Sequence, residues 1–256
     1  MKITSVIACL IFIMFSSSAY ADMNTVSLRI APAPNTPSTF MVNIIDNKTG
    51  NPMTESNLKV ARTKRLHFLV IDPSLTEYYH IYPTVVKDGV WSFDFAPART
   101  HKFRVWADLT RLDTGKQEYA AADIGSYDPK YKLKTMEKTL NNSANIGEYN
   151  FTLKLDSELK SGDTTIATIT VTKDGAPFTD LKPLMGAFAY AVGFYGDYNS
   201  IMHIRTMDKE PENISDKDGP VLHFHIAPSK PGFVKIYVQF NINGQDVYVP
   251  FGVMVK

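Results

Sequence analysis

The residues in this chain best suited to chemistry are histidines that recur in similar settings. "YYHIYPTVVKDGVW" (78–91) places His80 among aromatic residues, and "IMHIRTMDKEPENISDKDGPVLHFHI" (201–226) places His203 in a comparable frame. Imidazole nitrogens suit Cu(II), Zn(II) or Fe(II), and they titrate near pH 6.5. The segment 66–71 turns through "DPSL" (72–75) and returns as 77–82. A turn centred near residues 73–74 sets His67 opposite His80, with Cβ atoms about 4.5–5.5 Å apart, close enough for both rings to meet one ion. In "WSFDF" (91–95) the aromatic residues alternate with Ser92 and Asp94, and in "LHFHI" (222–226) the apolar residues alternate with His223 and His225. The expected metal set is therefore His67, His80 and Asp94 in the first half, and Tyr190, His203 and His225 in the second, with His223 beside them. Met202 and Met207 flank His203 and would favour Cu(I). Two other readings of the pair stand beside this one. His67 and His80 can be half-buried cross-strand residues bonded to backbone carbonyls, or they can sense pH. A register slip of one residue would turn every side chain to the other face.

The scaffold that must position these residues is all-β. Short runs rich in Val, Ile, Thr, Phe and Tyr, such as "TFMVNIID" (39–46), "KFRVWADL" (102–109) and "TIATITVT" (165–172), lie between Gly, Pro, Asn and Asp clusters. That spacing predicts sandwich strands. Asn243-Gly244 between two alternating runs predicts a tight hairpin with positive φ at both turn residues. The chain also matches itself. "HFLVIDPSLTEYYHIY" (67–82) lies over "YAVGFYGDYNSIMHIR" (190–205) at an offset of 123, and "WSFDFAPARTHKFRVWADL" (91–109) over "LHFHIAPSKPGFVKIYVQF" (222–240) at 131. The eight-residue difference is an insertion, "MDKEPENISDKDG" (207–219). The expectation is two tandem immunoglobulin-like antiparallel sandwiches arising from an internal duplication. They span 22–125 and 148–256, joined by a linker at 126–147.

The N-terminus reads as an export signal. Lys2 precedes the apolar run "VIACLIFIMF" (6–15), and "SSSAYA" (16–21) ends in an A-x-A site, so cleavage is expected after Ala21 and the protein in the periplasm or outside the cell. No second long apolar stretch follows, so no span of the membrane is expected after the signal. Cys9, the only cysteine, lies within the signal. The mature chain therefore holds no disulfide, thiolate metal site or cysteine nucleophile. It carries 26 basic and 26 acidic residues without a long basic run, which gives no support for nucleic-acid binding. The G-x-S-x-G, H-E-x-x-H, Walker and G-x-G-x-x-G motifs are all missing, and the expected role is binding without catalysis. The bound partner would be a metal ion or another envelope protein.

The order "TGNP…HFLVIDPSLTEYYHIYP…DGVWSFDFAP…KFRVWADL", repeated as "DGAPFTDLKPLMGAFAYAVGF…MHI…FHIAPSKPGFVKIYVQF", resembles secreted bacterial proteins with tandem immunoglobulin-like, YtkA-like sandwiches. This largely uncharacterised family implies envelope metal handling, copper in particular, with Cu or Zn as the ion. The family's hairpin strand ends His-x-His-Pro. Here it reads His80-Ile81-Tyr82-Pro83 and His203-Ile204-Arg205-Thr206, without the second histidine in either half.

Overall fold

The computed structural model describes residues 25–97, 102–125, 136 and 138–256. The expected signal peptide, His101 and half of the expected linker lie outside the described residues. The first half contains β1 (Val26–Ala33), β2 (Thr36–Asp46), β3 (Leu66–Ile71), β4 (Tyr78–Ile81), β5 (Thr84–Lys87), β6 (Val90–Asp94), β7 (Phe103–Thr110) and β8 (Gln117–Ile124). The second contains β9 (Ser143–Ile146), β10 (Tyr149–Leu155), β11 (Thr165–Lys173), β12 (Ala176–Pro177), β13 (Ala189–Tyr195), β14 (Ile201–Thr206), β15 (Val221–Ala227), β16 (Gly232–Ile242) and β17 (Gln245–Val255). Every strand pairing is antiparallel. No helix among the described residues is long and apolar enough to cross a membrane.

In the first half, sheet β1-β2-β6-β5 packs on sheet β4-β3-β7-β8. Alternation supplies the core between them: Val42 and Ile44, Trp91 and Phe93 from one sheet meet Phe68, Val70 and Val105 from the other. In the second half one continuous path, β17-β16-β13-β14-β15-β11-β10-β9, folds over a comparable core, because β14 pairs with strands of both layers. β9 falls inside the segment expected as linker and pairs with β10.

The two halves share their registers. Leu66↔Leu109 in β3–β7 becomes Ala189↔Phe240 in β13–β16, the same offsets of 123 and 131 that the sequence shows. The loops agree as well. Leu75 and Tyr198, 123 residues apart, take φ of 58° and 64°, and Arg62 and Met185 take 50° and 52°. The hairpin at Asn243-Gly244 has φ of 54° and 80°, as its composition predicts.

β3 ("LHFLVI") and β13 ("AYAVGFY") are buried at every residue. A strand covered on one face alternates; one covered on both does not. Leu66, Phe68 and Val70 face the first core, while Leu69 and Ile71 turn outward to join Tyr190, Val192, Phe194 and Tyr237 of the second half in a third apolar cluster. The two sandwiches are thus stacked face to face, and the layer between them, the seam, holds His67 and His80.

Candidate functional site

His67 and His80 sit in the seam, with exposures of only 2 % and 8 %. Their pairing differs from the expected one. His80 stands opposite Leu69 rather than His67, because the connection closes as a wider loop with Asp72 N bonded to Glu77 O. Asp72 holds that loop through its carboxylate, which accepts from the backbone of Ser74, Thr76 and Glu77. The register shift is two residues, so both rings keep the same face. They meet diagonally, His67 Nδ1 lying 3.0 Å from His80 Nε2.

The other nitrogens are also occupied. His67 Nε2 donates to Ala61 O at 3.1 Å, which leaves a lone pair on Nδ1 of the neutral ring. His80 Nδ1 lies 2.8 Å from Oε1 of Gln239, on β16 of the second half, while the buried Nε2 of Gln239 lacks a partner among the described residues. Rotating that amide by half a turn lets Nε2 donate to His80 Nδ1. His80 Nε2 then carries the proton and donates to His67 Nδ1, and the Gln239 oxygen faces the neighbouring Tyr82 hydroxyl. One directional chain, Gln239 to His80 to His67 to Ala61, then satisfies each ring nitrogen. Burial holds His67 below the ordinary histidine value. It pushes His80 down to about 3, with the neighbouring His67 adding to the effect. Both rings are neutral at pH 7.

Asp94 is not with them. It lies on β6 in the opposite sheet, exposed, and accepts from Thr39 Oγ1 at 2.6 Å. Trp91, Phe93 and Phe95 fill the core, so Asp94 points to one outer face of the first sandwich while His67 and His80 point from the other. Alternation correctly separates Asp94 from its aromatic neighbours but says nothing about which sheet receives the strand. The carboxylate that does occupy the seam is Asp108 on β7. It receives Arg62 at 3.0 Å, Gln117 at 2.7 Å and the Tyr190 hydroxyl at 3.4 Å. Asp108 and Gln239 are equivalent positions, 131 residues apart. Each is a lone buried polar residue in an apolar strand, "FRVWADL" and "FVKIYVQF", a signal the histidine-centred reading passed over.

Tyr190 occupies the position of His67 and packs against His80 with the rings tilted by 41° and their centroids 4.7 Å apart. His203 is half-buried. Its Nδ1 lies 3.4 Å from the Tyr119 hydroxyl of the first half, and its Nε2 accepts from Arg205 Nε at 2.5 Å. Burial, and then the Arg205 charge, lower it to about 4. His225 stands opposite Arg205, two positions along from His203's partner Ala227. His223 is exposed and paired with Asp208 at 2.8 Å. Met202 is core and Met207 is exposed. Among the described residues, no group of three or more His, Cys, Asp or Glu side chains converges as a metal site.

Residues 144–256 match the model of a domain of unknown function, DUF8832. No curated protein matches the chain. Solved structures with similarity include domains 4 and 5 of the S-layer protein SbsC (13 % identity, 90 % of this chain and 96 % of that one, TM-score 0.25). Others are the D0-D1 domain of intimin (12 %, 90 % and 96 %, 0.25) and a putative membrane-anchored protein from Corynebacterium diphtheriae (7 %, 90 % and 57 %, 0.25). TM-scores of 0.25 are too low to carry a structural or functional inference.

Proposed function

We propose that this is an exported, non-catalytic module that acts through protein–protein contacts, its two sandwiches held as one rigid unit. The supporting observation is the seam. Its apolar cluster draws on both halves, and all four ring nitrogens of His67 and His80 are taken up by protein atoms within it. Further bonds cross it: Tyr237 to Leu75 O at 2.9 Å, Tyr198 to Ile71 O at 3.1 Å, and Arg104 to Tyr198 O at 2.8 Å. A fixed orientation of two domains suits the presentation of a composite outer surface. Chemical cross-linking in the native envelope tests this. The wild-type protein should give a reproducible cross-linked partner, and Ile71→Asp, which places a charge in the seam, should lose it. No reproducible partner for the wild type would overturn the reading.

A second reading, metal handling through His67 and His80, is favoured by one observation: with Gln239 accepting from His80, two lone pairs face each other across 3.0 Å. Cu(I), Cu(II) or Zn(II) would then bind between the two lone pairs. Calorimetric titration with Cu(II) and Zn(II) of wild type beside His67→Ala/His80→Ala decides it, and equal or absent heats in the two proteins would eliminate it.

A further inference from the structure

The face of β15 turned away from the second core carries side chains unlike those at the same places in the first half. Leu222, Phe224 and Ile226 enter the core, so alternation sets His223 and His225 together on the opposite face, about 6.6 Å apart along the strand. The register Thr206↔Phe224 continues one step to Met207, whose N bonds His223 O at 2.9 Å. Met207 therefore stands directly across from His223 and on the same face, where opposed Cβ atoms lie about 4.5–5.5 Å apart. The first half shows the same juxtaposition. Thr84 and Ser92, the residues at the corresponding offsets of 123 and 131, are in register, and their hydroxyls lie 3.2 Å apart.

The two halves differ in chemistry at these points. In the first half Thr84 is satisfied by Ser92, and Asp94, the counterpart of His225, by Thr39. In the second half Met207, His223 and His225 bring a thioether and two imidazoles to the equivalent positions. Met207 and His223 are exposed and His225 is half-buried. Asp208 accepts from the backbone N of His223 at 2.6 Å and from its ring Nδ1 at 2.8 Å. A neutral ring that donates from Nδ1 keeps its lone pair on Nε2, and a carboxylate behind the imidazole is the usual companion of a metal-bound histidine. His225 makes no hydrogen bond among the described residues. Arg205, across from His225, is drawn by its Nε to His203, opposite Ala227, and so away from His223.

No third His, Cys, Asp or Glu side chain joins the two imidazoles as a ligand group among the described residues, so the sulfur decides which ion fits. Imidazole alone accepts several transition metals, whereas a thioether beside it selects Cu(I).

We infer that His223 Nε2, His225 and Met207 Sδ form a surface site for Cu(I), with Asp208 as the positioning residue behind His223. The site is separate from the seam and does not depend on the contact-module reading. Cu(I) presented to the full chain from bicinchoninate, without oxygen, tests it. The wild type should withdraw one equivalent. Affinity for Cu(I) should fall at least tenfold in His225→Gln and in Met207→Leu, with Tm unchanged, while Zn(II) affinity should change less than twofold in Met207→Leu. Asp208→Ala should weaken Cu(I) about tenfold and leave metal-free His223 as a mixture of tautomers by ¹⁵N NMR, both reversed in Asp208→Asn. His67→Ala/His80→Ala should take up Cu(I) as the wild type does. No withdrawal by the wild type, undiminished affinity in His225→Gln or Met207→Leu, or a loss confined to His67→Ala/His80→Ala would overturn the inference. Failure of this site while envelope cross-links persist would leave the module reading standing.

Discussion

His80 and His203 hold the same place in two hairpins of matching register, yet the seam treats them differently. His80 is locked between His67 and Gln239, with Tyr190 packed on its ring. His203 is half-buried, with one long contact to Tyr119 and one short contact to Arg205. The difference follows from the ladder. β4 stays on β3 through Ile81 and carries His80 into the seam, whereas β14 leaves β13 after Met202 and carries His203 to its margin. Two hairpins of matching register therefore serve differently: one carries its histidine into the seam and the other leaves its histidine at the margin.

Predictions that break or sharpen this contrast run from large effects to small. Ile71→Asp buries an uncompensated charge among apolar residues of both halves and should cost more than about 4 kcal/mol. Chemical denaturation should then resolve separate transitions for the two sandwiches. His80→Ala strands the neighbouring groups of His67 and Gln239 and opens space beside Tyr190. We expect about 2–3 kcal/mol, against less than about 1 kcal/mol for His203→Ala, both read from denaturation midpoints.

Acid should act through the same groups. The folded-state values of His67, His80 and His203 all lie below the ordinary 6.5, so below that pH the unfolded chain binds protons the native protein does not. Their contribution is present above about pH 6.5 and is lost as pH falls toward their folded values, about 3 for His80 and about 4 for His203. The slope approaches about 1.4 kcal/mol per pH unit for each histidine. Denaturation series at successive pH values should show this decline, less steep in His80→Gln. Asp94→Asn, in the opposite sheet, should change stability by less than about 0.5 kcal/mol and leave the acid response unaltered.

Much of this was legible in the residues. The alternating runs, the Asn243-Gly244 hairpin and the offsets of 123 and 131 all recur in the registers. The hairpin from 66 to 82 was placed two residues out, since composition does not reveal that Asp72 organises a wider loop, but an even shift preserves the face. Asp94 was misplaced because a period of two reports the side of a strand and not the sheet it joins. The seam itself had a signal: "LHFLVI" and "AYAVGFY" are too continuously apolar for strands with one wet face. Asp108 and Gln239 then mark where that buried layer turns polar.

The central claim is that His67 and His80 are neutral structural members of the seam. Long-range ¹⁵N NMR of the imidazoles at pH 7 tests it most directly. The account predicts that both rings are neutral and protonated at Nε2, with resonances unchanged by equimolar Zn(II) or Cu(I). An imidazolium signature, an Nδ1-protonated His80, or a metal-induced shift at His67 Nδ1 and His80 Nε2 would contradict it.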